Sequence, residues 1–334
     1  MKNHFYTAIL ATGMLLLTGL GAMAQTDPHF SQTFIQPMTL NPALTGAIDG
    51  DYRVSAIWRS QYSNLLQTMG LSGEMTTNKN VNLGVNLLNQ STNDKAYSFT
   101  NAYLTMAYTG VRFGKDAMHY LTMALQGGIL NRRFDISRMQ FGDQWKSGIG
   151  YDPSTASNES WRTQNASALD MGAGLLYYDA SPNKRVNLYA GFSAFHINKP
   201  KSPYITSDNG EVVPIRYNIH GGARIVVNEQ IQVVPNFFYQ RQKDAYETLV
   251  GIYGQLNAGL KTDLVLGANW RVDEAVVPFA GVYYNGFTFG FSYDVPFTPS
   301  TLMMSRGNSI EMSLSMVLQR KGNTETKAFY CPRF

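Results

Sequence analysis

No stretch of this chain beyond its first residues is apolar for long enough to cross a bilayer as a helix, which takes about 20 apolar residues in succession. A helical membrane protein is therefore excluded. Cysteine is nearly absent: Cys331 is the single one, so no internal disulfide can form. Charge is sparse at 15%, and the net charge of +4 is mild, which offers no basic surface for nucleic acid. The histidines of the mature chain, His29, His119, His196 and His220, show no H-x-x-H or H-E-x-x-H spacing, so a metal site has no support. There is no G-x-S-x-G elbow, and Gly148-Ile149-Gly150 lacks a P-loop or dinucleotide pattern. Ser193 and His196 are offset by three, which on a strand sends them to opposite faces. The chain is expected to have no catalytic residue, cofactor or metal.

What is present begins with an export signal. Lys2 precedes an apolar run from Ala8 to Leu20, and Ala22-Met23-Ala24 gives an A-x-A cleavage site before Gln25. No cysteine follows the cut to carry a lipid anchor. Residues 25–50 are then broken by Pro28, Pro37 and Pro42, and read as a periplasmic or lumen segment that packs on something rather than as a strand.

From Asp51 onward the period is two. Val81, Leu83, Val85 and Leu87 alternate with Asn82, Gly84 and Asn86, and Phe287, Phe289 and Phe291 alternate with Thr288, Gly290 and Ser292. Successive strand side chains point to opposite faces, so each run makes one apolar and one polar face. Fourteen runs fall near 51–59, 67–77, 81–89, 96–109, 118–132, 167–179, 185–197, 214–226, 230–242, 245–257, 262–271, 276–284, 287–295 and 309–319. Most have the length of a membrane strand, about 9–11 residues. Soluble strands are shorter, about 5–6. With helices excluded, a closed barrel is the other fold that satisfies every backbone group in lipid. A periplasmic sandwich, propeller or lipocalin-like barrel also alternates, but strand length, aromatic content and loop asymmetry favour the membrane. With a periplasmic N-terminus, the three longest connections, 133–166, 198–213 and 296–308, all fall outside, and every inside turn is short, the habit of outer-membrane barrels. The fold expected is an all-β transmembrane antiparallel barrel over 51–319. Its N-terminal segment and its tail, 320–334, lie on the periplasmic side.

On this reading the lumen holds Arg53, Arg59, Glu74, Asp170, Arg185, Arg216, Arg224, Glu247, Asp263, Arg271, Asp294 and Glu311. They form either a cross-strand network that fills the lumen or the lining of a solute channel. His220, beside Arg216 and Arg224, is expected as a hydrogen-bonded lumen residue. Trp145, Tyr151 and Trp161 lie in the polar loop 133–166, where they either contact another protein or pack on their own barrel. The tail ends Cys331-Pro332-Arg333-Phe334, as a docking peptide or a frayed end.

Two N-terminal motifs complete the pattern. Asp27-Pro28-His29-Phe30-Ser31-Gln32 and Asn41-Pro42-Ala43-Leu44-Thr45-Gly46, with Arg53-Val54 through Trp58-Arg59-Ser60-Gln61-Tyr62 and the Cys331–Phe334 ending, resemble the PorP/SprF family of type IX secretion-associated proteins. The resemblance implies a non-enzymatic barrel in the outer membrane of a Gram-negative bacterium. Its implied partners are outer-membrane lipid, type IX components and a large exported or cell-surface protein such as a gliding adhesin. The motif residues Asp27, Pro28, Phe30, Asn41, Pro42, Cys331, Pro332, Arg333 and Phe334, with Trp145, Tyr151 and Trp161, are the expected partner contacts. A solute channel is the alternative, and a lipid-modifying barrel enzyme a weaker one. A channel predicts an open lumen. An adaptor predicts one closed by side chains or by residues 25–50.

Overall fold

The computed structural model describes residues 27–77, 79–114, 117–158, 164–182, 184–201, 212–259, 261–297 and 308–320. The signal segment 1–24, Trp161 and the Cys331–Phe334 ending lie outside the described residues. Fourteen strands close into one antiparallel barrel. They are β1 (Tyr52–Gln61), β2 (Leu66–Thr76), β3 (Val81–Thr92), β4 (Tyr97–Phe113), β5 (His119–Phe134), β8 (Asn165–Asp179), β9 (Val186–Phe195), β10 (Arg216–Val226), β11 (Ile231–Gln242), β12 (Ala245–Gly259), β13 (Thr262–Arg271), β14 (Ala275–Tyr284), β15 (Phe287–Pro296) and β16 (Ser309–Leu318). A two-residue hairpin, β6 (Trp145–Lys146) and β7 (Gly150–Tyr151), sits in the connection between β5 and β8. All fourteen expected strands are present. Their ends shift most at β4, which runs to Phe113 rather than 109 because a bulge between Tyr108 and Val111 lets its ladder with β5 continue. Pairing of β1 with β16, Tyr52 against Leu318 through Gln61 against Ser309, closes the sheet.

The alternation decides which face meets lipid. Outward positions carry Leu104 (71% exposed), Leu125 (62%), Leu169 (74%) and Leu266 (64%). Inward positions carry Arg53, Arg59, Glu74, Asp170, Arg216, Glu247, Asp263, Arg271, Asp294 and Glu311, all buried. A soluble barrel has the opposite arrangement. This wall, apolar outside and charged inside, suits hydrocarbon. Arg185 is a correction: it sits exposed one residue before β9 begins, so it belongs to a turn and not to the lumen. Arg224 is half-buried and donates to Asn187 Oδ1 at 3.2 Å.

The three long connections share one rim, called here the loop rim, with four short ones; the other rim, the turn rim, carries short connections throughout. Residues 27–50 run between the two rims inside the barrel. Asp27 meets His196 and Gln242 at the loop rim. Phe34 packs edge-on against Tyr253 and Phe279 midway, with ring centroids 5.0 and 5.3 Å apart. Gly46 meets Glu74 near the turn rim, and Arg320 bonds Asp51 there. Of the two places expected for the N-terminal segment, periplasm or lumen, residues 27–50 take the lumen, with Asp27 at the rim opposite Arg320. The cause is the charge of the loop-rim half of the lumen, which the polar residues of 27–32 complete.

The outward wall generates a test. Leu104→Arg should lower the folding stability in liposomes by about 2–4 kcal/mol, the penalty for a cation facing hydrocarbon near mid-bilayer. Urea unfolding of the reconstituted protein measures it. An unchanged midpoint would mean that Leu104 faces water.

Candidate functional site

The lumen segment is built from short elements that its sequence dictates. A single helical turn, Pro37–Leu40, starts on a proline, whose missing N–H is harmless at that position. A 3-10 turn, Pro42–Leu44, follows, and Asn41 caps it by accepting from the Ala43 N–H at 2.9 Å. The same Asn41 donates through Nδ2 to the Leu175 carbonyl at 2.9 Å and to His220 Nε2 at 3.0 Å. His220 is thus the hydrogen-bonded lumen residue its position predicts. Asn41 lies so close to the wall that a side chain at Gly174 or Gly191 would occupy its place. Gly46, at φ +79°, makes the left-handed turn after the N-P-A-L-T run, which glycine adopts without strain. The segment thus fits one path through this barrel.

Apolar residues seat it at three levels. Phe30 and Ile35 bury against Ile57, Leu88, Phe99 and Leu130. Phe34 packs on the cluster of Val234, Tyr253, Val265 and Phe279. Ala43, Leu44 and Ala47 pack on Ala107, Ala124, Leu176 and Tyr178. Burying such side chains stabilises by roughly 1.5–3 kcal/mol each.

Charge locks the loop-rim half. The Glu311 carboxylate accepts from the Ser31 N–H at 2.7 Å and the Gln32 N–H at 3.0 Å. Gln32 also donates to Ser292 Oγ at 3.0 Å and accepts from Ser313 Oγ at 2.6 Å. Arg59 donates to the His29 carbonyl (2.8 Å) and Asp294 (2.9 Å). Arg271 donates to Ser31 Oγ (2.6 Å) and Asp294 (2.9 Å), and its Nε lies 2.8 Å from Glu247. His29 Nε2 is 3.0 Å from Glu247.

A second cluster surrounds Asp27. His196 bridges the carboxylates of Asp27 and Asp170, with Nδ1 2.7 Å from Asp170. Arg216 and Arg132 approach Asp27 at 3.4 and 3.9 Å, and Tyr103 donates to Asp170. Burial pushes the Asp27 carboxyl up, but His196, Arg216 and Arg132 outweigh it and hold it well below the usual carboxylate range. Burial lowers the His196 imidazolium, and Asp27 and Asp170 raise it instead to about 9. The expected opposition of Ser193 and His196 is corrected. The strand ends at Phe195, and His196, at φ +59°, turns inward. Both residues face the lumen, but Ser193 donates to the Leu40 carbonyl at 2.7 Å rather than to His196.

Of the residues expected to contact a partner, Asp27, Phe30, Asn41 and Pro42 are buried against the protein's own wall, and Pro28 is half-buried beside them. They serve the segment's seating. Trp145, on β6, is 58% exposed. It pairs across the hairpin with the half-buried Tyr151, ring centroids 6.2 Å apart. Lys146 and Asp152 clasp the same hairpin at 2.5 Å, and Ile149 at its tip is 76% exposed. Ile149 and His196 are the site residues that sequence reasoning missed. Neither has a local signal beyond an apolar residue in a polar loop and a histidine at a strand end.

A closed barrel with a lipid-facing apolar wall and a charged, filled lumen is an outer-membrane barrel with an internal plug. The chain belongs to the family of type IX secretion system membrane proteins PorP/SprF, whose model matches residues 22–316. No curated protein matches it. Among solved structures it is similar to the Ralstonia pickettii toluene transporter TbuX, at 9% identity and TM-score 0.52, covering 85% of this chain and 94% of that one. It is equally similar to the Pseudomonas putida toluene transporter TodX, at 9% identity and TM-score 0.52, covering 87% and 94%. At that identity the likeness is one of fold. Fold and family together point to the outer membrane.

The Asp27 cluster predicts a pH window for the plug. The contribution of Asp27 is complete above its ordinary value of 3.8 and is lost as pH falls below it. That of His196 is complete below 6.5 and is lost as pH rises through about 9. Limited proteolysis of the detergent-solubilised protein should show residues 27–50 protected between these limits and cleaved faster outside them. Protection independent of pH would show that these ion pairs do not hold the segment. The Glu311 carboxylate also lies 3.2 Å from Arg59 Nε, so Glu311→Gln should destabilise the protein by about 3–5 kcal/mol in denaturant unfolding, the scale for breaking a buried pair.

Proposed function

We propose that this protein is a non-enzymatic accessory barrel of the type IX secretion system that holds a partner polypeptide at its loop rim. In this role it supports export or surface anchoring of a large cell-surface protein such as a gliding adhesin. The loop rim then faces the cell exterior and the turn rim the periplasm, where the tail beyond Arg320 meets secretion components. The observation that supports the reading is the filled lumen: residues 27–50 are bonded to the wall from rim to rim and occupy the route a solute would take. Function then falls to the surfaces. The braced hairpin that displays Trp145 and Ile149 has the aromatic and aliphatic character of an interface anchor.

The second reading is a solute channel, which the fold shared with TbuX and TodX brings forward. A lumen cavity beside the segment, lined by Phe34, Pro37, Leu40, Tyr189, His220 and Tyr253, has a volume of about 80 Å³. A cavity of roughly 150 Å³ is the size that admits benzene. That cavity is too small to hold such a ring.

Two measurements separate the readings. In planar bilayers the full-length protein should show no steady conductance, and a variant lacking residues 27–45 should conduct. Pull-down from solubilised outer membranes should recover type IX components or one very large surface protein, with recovery of the surface protein lost on deletion of residues 145–158. Steady conductance of the intact protein would support the channel. Full recovery after the deletion would remove the loop from the proposal.

A further inference from the structure

We propose that the seat occupied by Asp27 at the loop rim is a carboxylate-binding site, and that a polypeptide docked on this rim can fill it by exchanging its own carboxylate for that of Asp27. The proposal rests on the reading of the loop rim as the docking face and adds the chemistry that recognises the ligand.

The seat is made by the wall. Arg216 comes from β10, Arg132 from β5, and His196 from the turn after β9. The wall also fixes the cations. The Arg216 guanidinium lies 4.2 Å over the Phe195 ring and that of Arg132 5.3 Å over Phe99. Nδ1 of His196 is tied to Asp170, itself held by Tyr103. None of these supports involves Asp27, so the site keeps its shape when the aspartate leaves. Its charge does not stay balanced. The Arg216 guanidinium would then lose the carboxylate 3.4 Å away, and His196 one of the two carboxylates that hold its proton. Leaving buried charge uncompensated is strongly unfavourable, so simple withdrawal of Asp27 is blocked. Exchange for another carboxylate restores the same pairs. The seat therefore selects what can displace the segment: a group bearing a carboxylate.

The other anchors do not share this property. Glu311, Glu247 and Asp294 are wall carboxylates that accept from the segment, and Glu74 accepts from the Gly46 N–H in the same way. An incoming anion would be repelled there. The Asp27 seat is also within reach, because the Arg132 side chain is 26% exposed while His196 and Arg216 are 2% and 7% exposed behind it. A ligand meets Arg132 first and the deeper cations next. Release would start at the loop-rim end of the segment. The far end is covalently continuous with β1 and stays seated among Ala43, Leu44 and Ala47.

The test uses the full-length protein in detergent with a fluorescent tetra-aspartate peptide as probe and tetra-asparagine as control, read by anisotropy. In Asp27→Ala the seat is empty, and tetra-aspartate should bind tighter than to wild type by about tenfold or more. Tetra-asparagine should bind neither. Adding Arg216→Met to Asp27→Ala should abolish the gain. Equal affinity of wild type and Asp27→Ala, or a gain that survives Arg216→Met, would overturn the proposal. If Asp27→Ala fails to fold, as judged by loss of the heat-modifiable gel shift of a barrel, the isosteric Asp27→Asn replaces it with the same expectations. Trp145→Ala should leave peptide binding unchanged while weakening partner recovery, so failure of the seat and failure of the docking loop give different results.

Discussion

Every part of this structure answers to the burial of charge inside a narrow barrel. Lipid forces the apolar faces of the strands outward, and the polar faces then crowd into a lumen where an unpaired charge is costly. The wall meets part of that demand itself, through Arg53 with Glu74 and Gln255 with Asp263. It does not meet all of it. Glu311 takes its two amide donors from Ser31 and Gln32, and the cations around His196 take their second carboxylate from Asp27. Barrel and segment are therefore one folding unit, each supplying partners the other lacks.

That constraint also explains what the sequence made visible. Period-two alternation is a direct consequence of one lipid face and one lumen face, so strand positions could be read residue by residue from Val81 to Leu87 or Phe287 to Phe291. The errors fall where the period stops. Arg185 lies one residue outside its strand, and His196 lies one residue past another, in a left-handed conformation that returns its side chain to the lumen. The route of residues 27–50 was less legible. Proline and asparagine marked the segment as irregular, but most of its partners lie far away in the chain, 134 residues for Asn41 and Leu175, 215 for Asp27 and Gln242 and 280 for Ser31 and Glu311. One signal was available. Ile57, Leu88, Phe99, Leu130, Val265 and Phe279 are apolar residues on inward register, which a water-filled pore has no use for. They are the surfaces on which Phe30, Ile35 and Phe34 rest.

The same accounting changes the meaning of the N-terminal motifs. Residues read as partner contacts prove to be internal. Asp27, His29, Ser31 and Gln32 each meet a wall residue, and Asn41 both caps its turn and reaches His220 and the backbone over two glycines. Such motifs specify a fit between segment and barrel. The hairpin of the loop rim differs: there Lys146 and Asp152 brace an exposed Trp145 and Ile149.

Segment and hairpin are not independent, because the charged end of the plug lies at the rim that carries the hairpin. Of the polar anchors along residues 27–50, the loop-rim ones are electrostatic and the turn-rim level is mainly apolar packing. Electrostatic anchors can be exchanged, pair for pair, at little net change in free energy, whereas apolar seating must be undone by exposing surface. A plug fastened in this order is responsive at the face where a partner would arrive and secure at the face joined to β1. In this chain residues 27–50 occupy the lumen, and the asymmetry of their fastening decides from which side they could be disturbed.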